Sequence, residues 1–298
     1  DVGIFTNLSY DHMEFHQTME DYYQSKEKLF SLLKPGGGGI FNLDDDYSKL
    51  VIENNPLLNC YTYGIKNNAD IIGENIKSTK TGLEFEVKIN NELLTLHKKR
   101  VYPKKIKINL PVLGYHNVYN ALATFITSLI LGFKIEDIKA GLESFNGIKR
   151  RMELIHDKEF TIIDDFAHNP ASLTANFETI KEFNYNNLII IHFLKGNRGV
   201  KANKLNAQLI NDWSKELNLK EIITTRCNEE VIAKNKVLKE EEEGFNKVIN
   251  KHQIKINNCK RLDSAIQLGL NKLEKKDLLL LIGGPGLNKG SEIINQTL

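Results

Sequence analysis

Little in the sequence ties it to an oxidising compartment, a membrane or a polyanion. Its three cysteines, Cys60, Cys227 and Cys259, stand apart without CxxC spacing, which argues against a zinc site and a disulfide framework. A reducing cytoplasm fits that usage. No apolar run approaches the ~18–20 residues of a membrane span, and the N-terminus shows no basic or apolar leader pattern. Forty basic against 38 acidic side chains leave a net charge of +2, so no overall field draws the chain onto nucleic acid or anionic lipid. The expected partners are therefore small molecules, with no nucleic acid and no membrane, and the expected state is a monomer.

What is present is an ordinary globular composition. With 41% hydrophobic and 26% charged residues, the chain is not disordered, collagen-like or a coiled coil, and 298 residues predict about two domains. Val2 to Thr6 reads as a buried strand, followed by a helix near Thr18 to Leu33, a turn over Pro35 to Gly39 and a short strand Ile40 to Asn42. The alternation around Leu83 to Ile89 and the Asn90-Asn91 turn predict antiparallel hairpins between Cys60 and Leu110. Helices follow at Val118 to Leu131 and Ile135 to Phe145. The second half alternates short apolar runs (Thr161 to Asp164, Leu188 to Phe193, Ile222 to Thr225, Leu278 to Ile282) with helical stretches. That rhythm predicts a mostly parallel sheet covered on both faces. The domain boundary falls near Phe145 to Lys149, giving 1–146 and 147–298. The acidic run Glu240 to Glu243 reads as a solvated helix face. Because the chain opens on Asp1 and already within a strand, a fragment is expected.

Thr18 caps the first helix, with Asp21 three residues on. The apolar stripe Met19, Tyr22, Tyr23, Leu29, Phe30 and Leu33 has Lys26 in its middle. A buried ammonium must snorkel, pair with an acid or lose its charge. A deprotonated lysine can capture carbon dioxide, and the resulting carbamate binds hard cations as a carboxylate does. The preceding loop, Asn7-Leu8-Ser9-Tyr10-Asp11-His12-Met13-Glu14-Phe15-His16, can aim an imidazole and an oxygen ligand at one point.

Phe5-Thr6-Asn7-Leu8-Ser9-Tyr10-Asp11-His12, then Phe15-His16, then Tyr22 and Lys26-Glu27-Lys28-Leu29-Phe30, closely resemble the Mur ligases, in their UDP-N-acetylmuramoyl-tripeptide synthetase branch. The resemblance implies an α/β fold: part of a P-loop-type central domain, then a Rossmann-like C-terminal domain with a mostly parallel sheet. It implies a carbamylated Lys26 that holds magnesium with His12, both with catalytic roles, and a substrate contact at Asn7. Gly114-Tyr115-His116-Asn117-Val118-Tyr119-Asn120 resembles the family's adenine motif and assigns Asn117 and Asn120 there, although Asn117 or His116 can equally cap a helix. Lys149-Arg150-Arg151-Met152-Glu153 resembles the Gly-Arg-Met-Glu motif that opens the C-terminal domain. Arg150 stands in place of the glycine, so the local backbone path is an open question, and a surface basic cluster is the plain alternative. Arg151 matches as a catalytic and phosphate-binding guanidinium. Asp164-Asp165-Phe166-Ala167-His168-Asn169-Pro170 resembles Asp-Tyr-Ala-His-x-Pro and places Asp165 and His168 near the nucleotide ribose and phosphates.

By resemblance, the activity is ATP- and magnesium-dependent ligation of an amino acid to a UDP-MurNAc-peptide through an acyl phosphate. Lys195 and Arg198, in the loop Lys195-Gly196-Asn197-Arg198-Gly199, are further candidates for anionic substrate. No Gly-x-x-x-x-Gly-Lys-Ser/Thr cradle is present; in Gly283 to Ser291 the lysine is followed by Gly290. The family carries that cradle upstream of the Phe-Thr-Asn-Leu segment, so a ligase truncated at its N-terminus is expected. The family's Asp-Asn-Pro-Arg signature is also absent, with Thr224-Thr225-Arg226-Cys227-Asn228 in its place, and the amino acid added is left open. A folylpolyglutamate-synthase-like ligase and a non-catalytic nucleotide- or peptide-binding module are the alternatives.

Overall fold

In the computed structural model, which describes every residue except Glu14 and Lys80, the chain divides into two units, Asp1–Asn146 and Gly147–Leu298. Glu14, part of the loop quoted above, thus lies outside the described residues. The architecture is α/β in both units.

The first unit runs β1 (Val2–Phe5), α1 (Met19–Ser31), β2 (Gly38–Asn42), α2 (Asp46–Asn54), β3 (Asn59–Gly64), β4 (Ile71–Thr79), β5 (Gly82–Ile89), β6 (Leu93–Leu94), β7 (Arg100–Val101), β8 (Lys104–Leu110), α3 (His116–Ile130) and α4 (Ile135–Glu143). Its main sheet has the order β1-β2-β3-β4-β5-β8. The first three strands pair in parallel and β4, β5 and β8 pair antiparallel. The antiparallel expectation for 60–110 therefore holds only from β4 onward. β3 joins β2 in parallel because α2, not anticipated, provides the crossover, started by the Asp45 carboxylate accepting from Tyr47 N at 3.1 Å. Alternation in β5 buries Leu83, Phe85, Val87 and Ile89 on one face, where α3 packs with Val118, Leu122, Phe125 and Leu129. Thr18 caps α1 as expected, its hydroxyl accepting from Asp21 N at 3.1 Å.

The second unit runs β9 (Glu153–Asp157), β10 (Thr161–Asp165), α5 (Pro170–Lys181), β11 (Leu188–Phe193), α6 (Gly199–Trp213), β12 (Leu219–Thr225), α7 (Lys239–Lys251), β13 (Lys255–Cys259), α8 (Leu262–Leu270), β14 (Leu278–Ile282) and α9 (Gly290–Thr297). The order is β13-β12-β11-β14-β10-β9, parallel throughout except for β9 on the edge. β11 and β14 are buried at every position, as continuous apolar runs between helical layers require. Among the described residues no helix is long and apolar enough to cross a membrane.

The acidic run is a solvated face only at Glu240 and Glu243, and its middle pair turns inward. Glu241 and Glu242, in the first turn of α7, are 1% and 6% exposed. A carboxylate is buried at such cost only when paired, and both are. Glu241 accepts from the amides of Asn197, Arg198, Gly199 and Leu238 at 2.9–3.3 Å, while Glu242 takes the Arg226 guanidinium through both oxygens.

Candidate functional site

The carboxyl ends of parallel strands carry the loops that meet ligands in open α/β sheets, and the candidate residues of each unit lie there. In the first unit β1 delivers Thr6, Asn7 and Leu8. Thr6 O accepts from Asn42 Nδ2 at 2.9 Å and Leu8 N donates to Asp45 Oδ2 at 2.9 Å. Asn7, between these two anchors, is exposed. His12 follows in a left-handed conformation (φ 57°). Its carbonyl accepts from Phe15 N at 2.9 Å and His16 N at 3.1 Å, and this turn leads into α1.

His12 and Lys26 each lie against the ring of Tyr22. The Tyr22 ring has the His12 imidazole edge-on at 5.9 Å, His16 stacked at 4.9 Å and the Lys26 ammonium over it at 5.3 Å. His16 in turn bonds Asp21 at 3.1 Å. The expectation that Lys26 is buried is corrected. Tyr22, Tyr23 and Phe30 are buried but Lys26 is exposed, because Phe30 packs against Phe5 and Phe41 and Tyr23 against Tyr47, and none of these covers position 26. Its stem crosses the Tyr22 face to water, the snorkelling outcome. Among the described residues no group of three histidine, cysteine or carboxylate side chains could hold a metal ion.

At α3, neither Asn117 nor His116 is the cap. Tyr115 is, without a side-chain bond, after Gly114 at φ 96°. Asn117 instead donates to Leu113 O at 2.6 Å and accepts from Asn120 Nδ2 at 2.9 Å. That relay leaves the exposed Asn120 its carbonyl oxygen and a second N–H, the donor and acceptor a base edge needs.

In the second unit Arg150 answers the open question. It keeps a left-handed backbone (φ 60°) although it is not glycine, and it is 6% exposed, so it is no surface cluster. Its Nε reaches both oxygens of Asp164 at 3.1–3.2 Å. Nη1 donates to Gly284 O at 2.8 Å and Asn288 Oδ1 at 2.7 Å, and Nη2 to Gly283 O at 2.7 Å. The 283–284 loop thus turns carbonyls toward a cation rather than amides toward a phosphate. Burial pushes the Asp164 carboxyl up to about 7 against the pull of Arg150.

Arg151 sits between Arg150 and Met152 (φ 50°), exposed, with its guanidinium 5.4 Å from the Phe166 ring centre. Asp165 builds that turn. It is 4% exposed, and its oxygens accept from Met152 N at 2.8 Å and Ala167 N at 2.7 Å. Asp165 thereby ties together the two segments that carry Arg151 and His168. His168 has Nδ1 3.0 Å from Phe166 O. A carbonyl only accepts, so Nδ1 carries the proton. Burial, then Lys195 and Arg151, lower its pKa, and the imidazole is neutral among cations. Lys195, half-buried, lies by Gly284, where an added Cβ would meet its Cδ at 3.5 Å.

In the loop 195–199 the internal carboxylate of Glu241 accepts from the amides of 197–199, and the side chains of Lys195 and Arg198 are half-buried. Sequence reasoning passed over Arg150, Glu241, Glu242, Asp44 and Asp45. For Arg150 a signal existed, since a residue standing where relatives have glycine must accept glycine's backbone.

Comparison with known proteins agrees with these motifs. Residues 1–128 match the Mur ligase middle domain and residues 150–284 the Mur ligase glutamate ligase domain. The chain is 31% identical over 288 residues to a UDP-N-acetylmuramoyl-L-alanyl-D-glutamate–2,6-diaminopimelate ligase of Clostridioides difficile (strain 630), covering 96% of this chain and 54% of that protein. Among solved structures, MurF from Acinetobacter baumannii superposes with a TM-score of 0.75 at 19% identity, over 99% of this chain and 59% of that one. A Mycobacterium tuberculosis folylpolyglutamate synthase superposes with a TM-score of 0.71 at 13% identity, over 97% and 63%. At such identities the structural matches establish the fold alone. The chain spans about half the length of the curated relatives it matches (54% for the first). With its two units matched in order by the middle and glutamate ligase domains, the chain belongs to the Mur ligase family.

Proposed function

We propose that this chain serves an ATP-dependent amide ligase that adds an amino acid to a UDP-MurNAc-peptide. The γ-phosphoryl group passes to a substrate carboxylate, giving an acyl phosphate; the amine of the amino acid then attacks that carbonyl, an amide forms and phosphate leaves. The observation that carries the reading is that His12 and Lys26 both lie against the Tyr22 ring, in the segment that follows the anchored Asn7 loop.

An ammonium is not a metal ligand, so the residues fit magnesium only with Lys26 as its carbamate, for which its exposed position gives carbon dioxide access. His12 and that carbamate would then hold the ion together with phosphate oxygens, a small protein share that suits magnesium. The ion supplies neutralisation between a carboxylate and a triphosphate. Asn120, steadied by Asn117, is assigned to the adenine edge, and Asn7 to the acceptor substrate. In the second unit Arg151 is assigned to charge on the transferred phosphoryl group, with Lys195 and the neutral His168 beside it.

The test is Lys26→Ala in the gene product, assayed by amino-acid-dependent phosphate release. Ligation is expected to be lost, not restored by bicarbonate and partly restored by short carboxylic acids. Wild-type turnover in the variant would remove the reading, and turnover with folate acceptors in place of muramoyl peptides would move the protein to the folylpolyglutamate branch.

A further inference from the structure

β2 lies between β1 and β3 in the sheet, so the residues that follow it emerge between the loops that follow its two neighbours. Those residues include two aspartates that face opposite ways. Asp45 accepts from Leu8 N at 2.9 Å through one oxygen and from Tyr47 N at 3.1 Å through the other. Asn42, just before them, holds Thr6 O. On this side the pair fixes the backbone on both sides of Asn7.

Asp44 turns to the other side. It accepts from the amides of Ile65, Lys66 and Asn67 at 2.7–2.9 Å, from Asn67 Nδ2 at 2.9 Å and from the Tyr119 hydroxyl at 2.9 Å. Gly64 makes room for it, since a Cβ there would come within 3.2 Å of Asp44 Oδ1. Tyr119 lies in the first turn of α3, between Asn117 and Asn120. A helix cap needs one acceptor. Here two neighbouring carboxylates take six backbone or side-chain donors from two separate loops and a helix outside their own turn, and the first of those loops and the helix carry candidate ligand residues of this unit.

We infer that Asp44 and Asp45 are positioning residues with divided tasks, Asp45 setting the Asn7 loop that leads to His12, and Asp44 setting the start of α3 with Asn117 and Asn120. This rests on the proposed ligase reading for what those residues bind. The division predicts opposite kinetic signatures from adjacent residues. In the gene product, Asp45→Asn keeps an acceptor for Tyr47 and sets an NH2 against the Leu8 amide. Its kcat should fall about tenfold, the factor carried by one hydrogen bond to a charged group, with KM for ATP little changed. Asp44→Asn should raise KM for ATP by a similar factor with kcat little changed, and Tyr119→Phe, which removes only a hydroxyl, should follow it more mildly.

Rates are normalised to the folded fraction. A loss of melting temperature with kcat and KM intact in all three variants makes the pair merely structural and overturns the inference, as does the reversed split. A wild type that turns over no ATP defeats the ligase reading instead. Amide exchange then decides the positioning: Leu8 should be deprotected in Asp45→Asn and not in Asp44→Asn, and the first turn of α3 the converse. Equal exchange in both variants overturns it.

Discussion

Removal of the Arg150 side chain is the sharpest perturbation the structure offers, because two opposed terms have known sizes. The guanidinium is 6% exposed and Asp164 is fully buried. Deleting one partner of a buried pair costs about 3–5 kcal/mol, since the other charge remains without compensation. Against this, a non-glycine residue held at φ 60° carries about 1 kcal/mol of strain that glycine does not. Arg150→Ala should therefore destabilise the second unit by about 3–5 kcal/mol, and Arg150→Gly by about 1 kcal/mol less.

The pH dependence has a definite sign. Asp164 has a folded pKa raised to about 7. A raised carboxyl favours the folded state at low pH, and that contribution is lost as pH rises through the folded value. Without Arg150 the carboxyl rises further, so the cost of either substitution should be larger at pH 8 than at pH 5. The chain has one tryptophan, Trp213 at the end of α6, and its fluorescence in a urea titration reports this unit directly. A glycine variant no more stable than the alanine variant, or a cost that grows toward acid pH, would refute the reasoning.

Two further outcomes follow from the same unit. Glu241→Ala leaves four amides without their acceptor and should cost about 2–3 kcal/mol; sulfate should then stabilise the variant more than the wild type by entering the vacated start of α6, and equal stabilisation of both would count against the capping role. Burial raises the Cys227 thiol to about 12, so alkylation at pH 8 should modify the exposed Cys60 in the native protein and Cys227 only on unfolding, read by peptide mass mapping.

Elements with strong local causes were legible in the sequence. The Thr18 cap, the alternation of β5 and the uninterrupted apolar runs of β11 and β14 each fix an element within a few residues, because the pattern that folds them is local. β9 and β13 escaped for a physical reason. Both are edge strands, and Lys255-Ile256-Asn257-Asn258-Cys259 shows half-buried or exposed positions and no apolar run. Among the candidate residues, sequence motifs point to exposed side chains such as Asn7, Asn120 and Arg151 but not to the side chains that hold their loops. Glu241 caps amides more than forty residues earlier in the chain, and nothing in Glu240 to Glu243 marks which acid turns inward. Lys26 shows the converse failure: helical spacing puts it in the apolar stripe, and only tertiary packing reveals that nothing covers it.

These placements narrow which cations of the second unit can meet an anionic ligand. Arg150 and Arg226 both stand at carboxyl ends of the sheet, where a motif search would enrol them, yet each is engaged by an internal carboxylate, Asp164 and Glu242. The amides of 197–199 are likewise engaged, by Glu241. A guanidinium already paired through charge-assisted bonds gains little from a phosphate that must first displace its partner. Arg151 differs: it is exposed, its guanidinium lies 5.4 Å from the Phe166 ring centre, and the turn that presents it is held by Asp165 and by Glu153, which accepts from Arg150 N at 2.8 Å. Arg150 has thus taken the buried, paired role, and Arg151 stands exposed near a neutral His168. That division separates an arginine built into the fold from one left exposed at the end of the sheet.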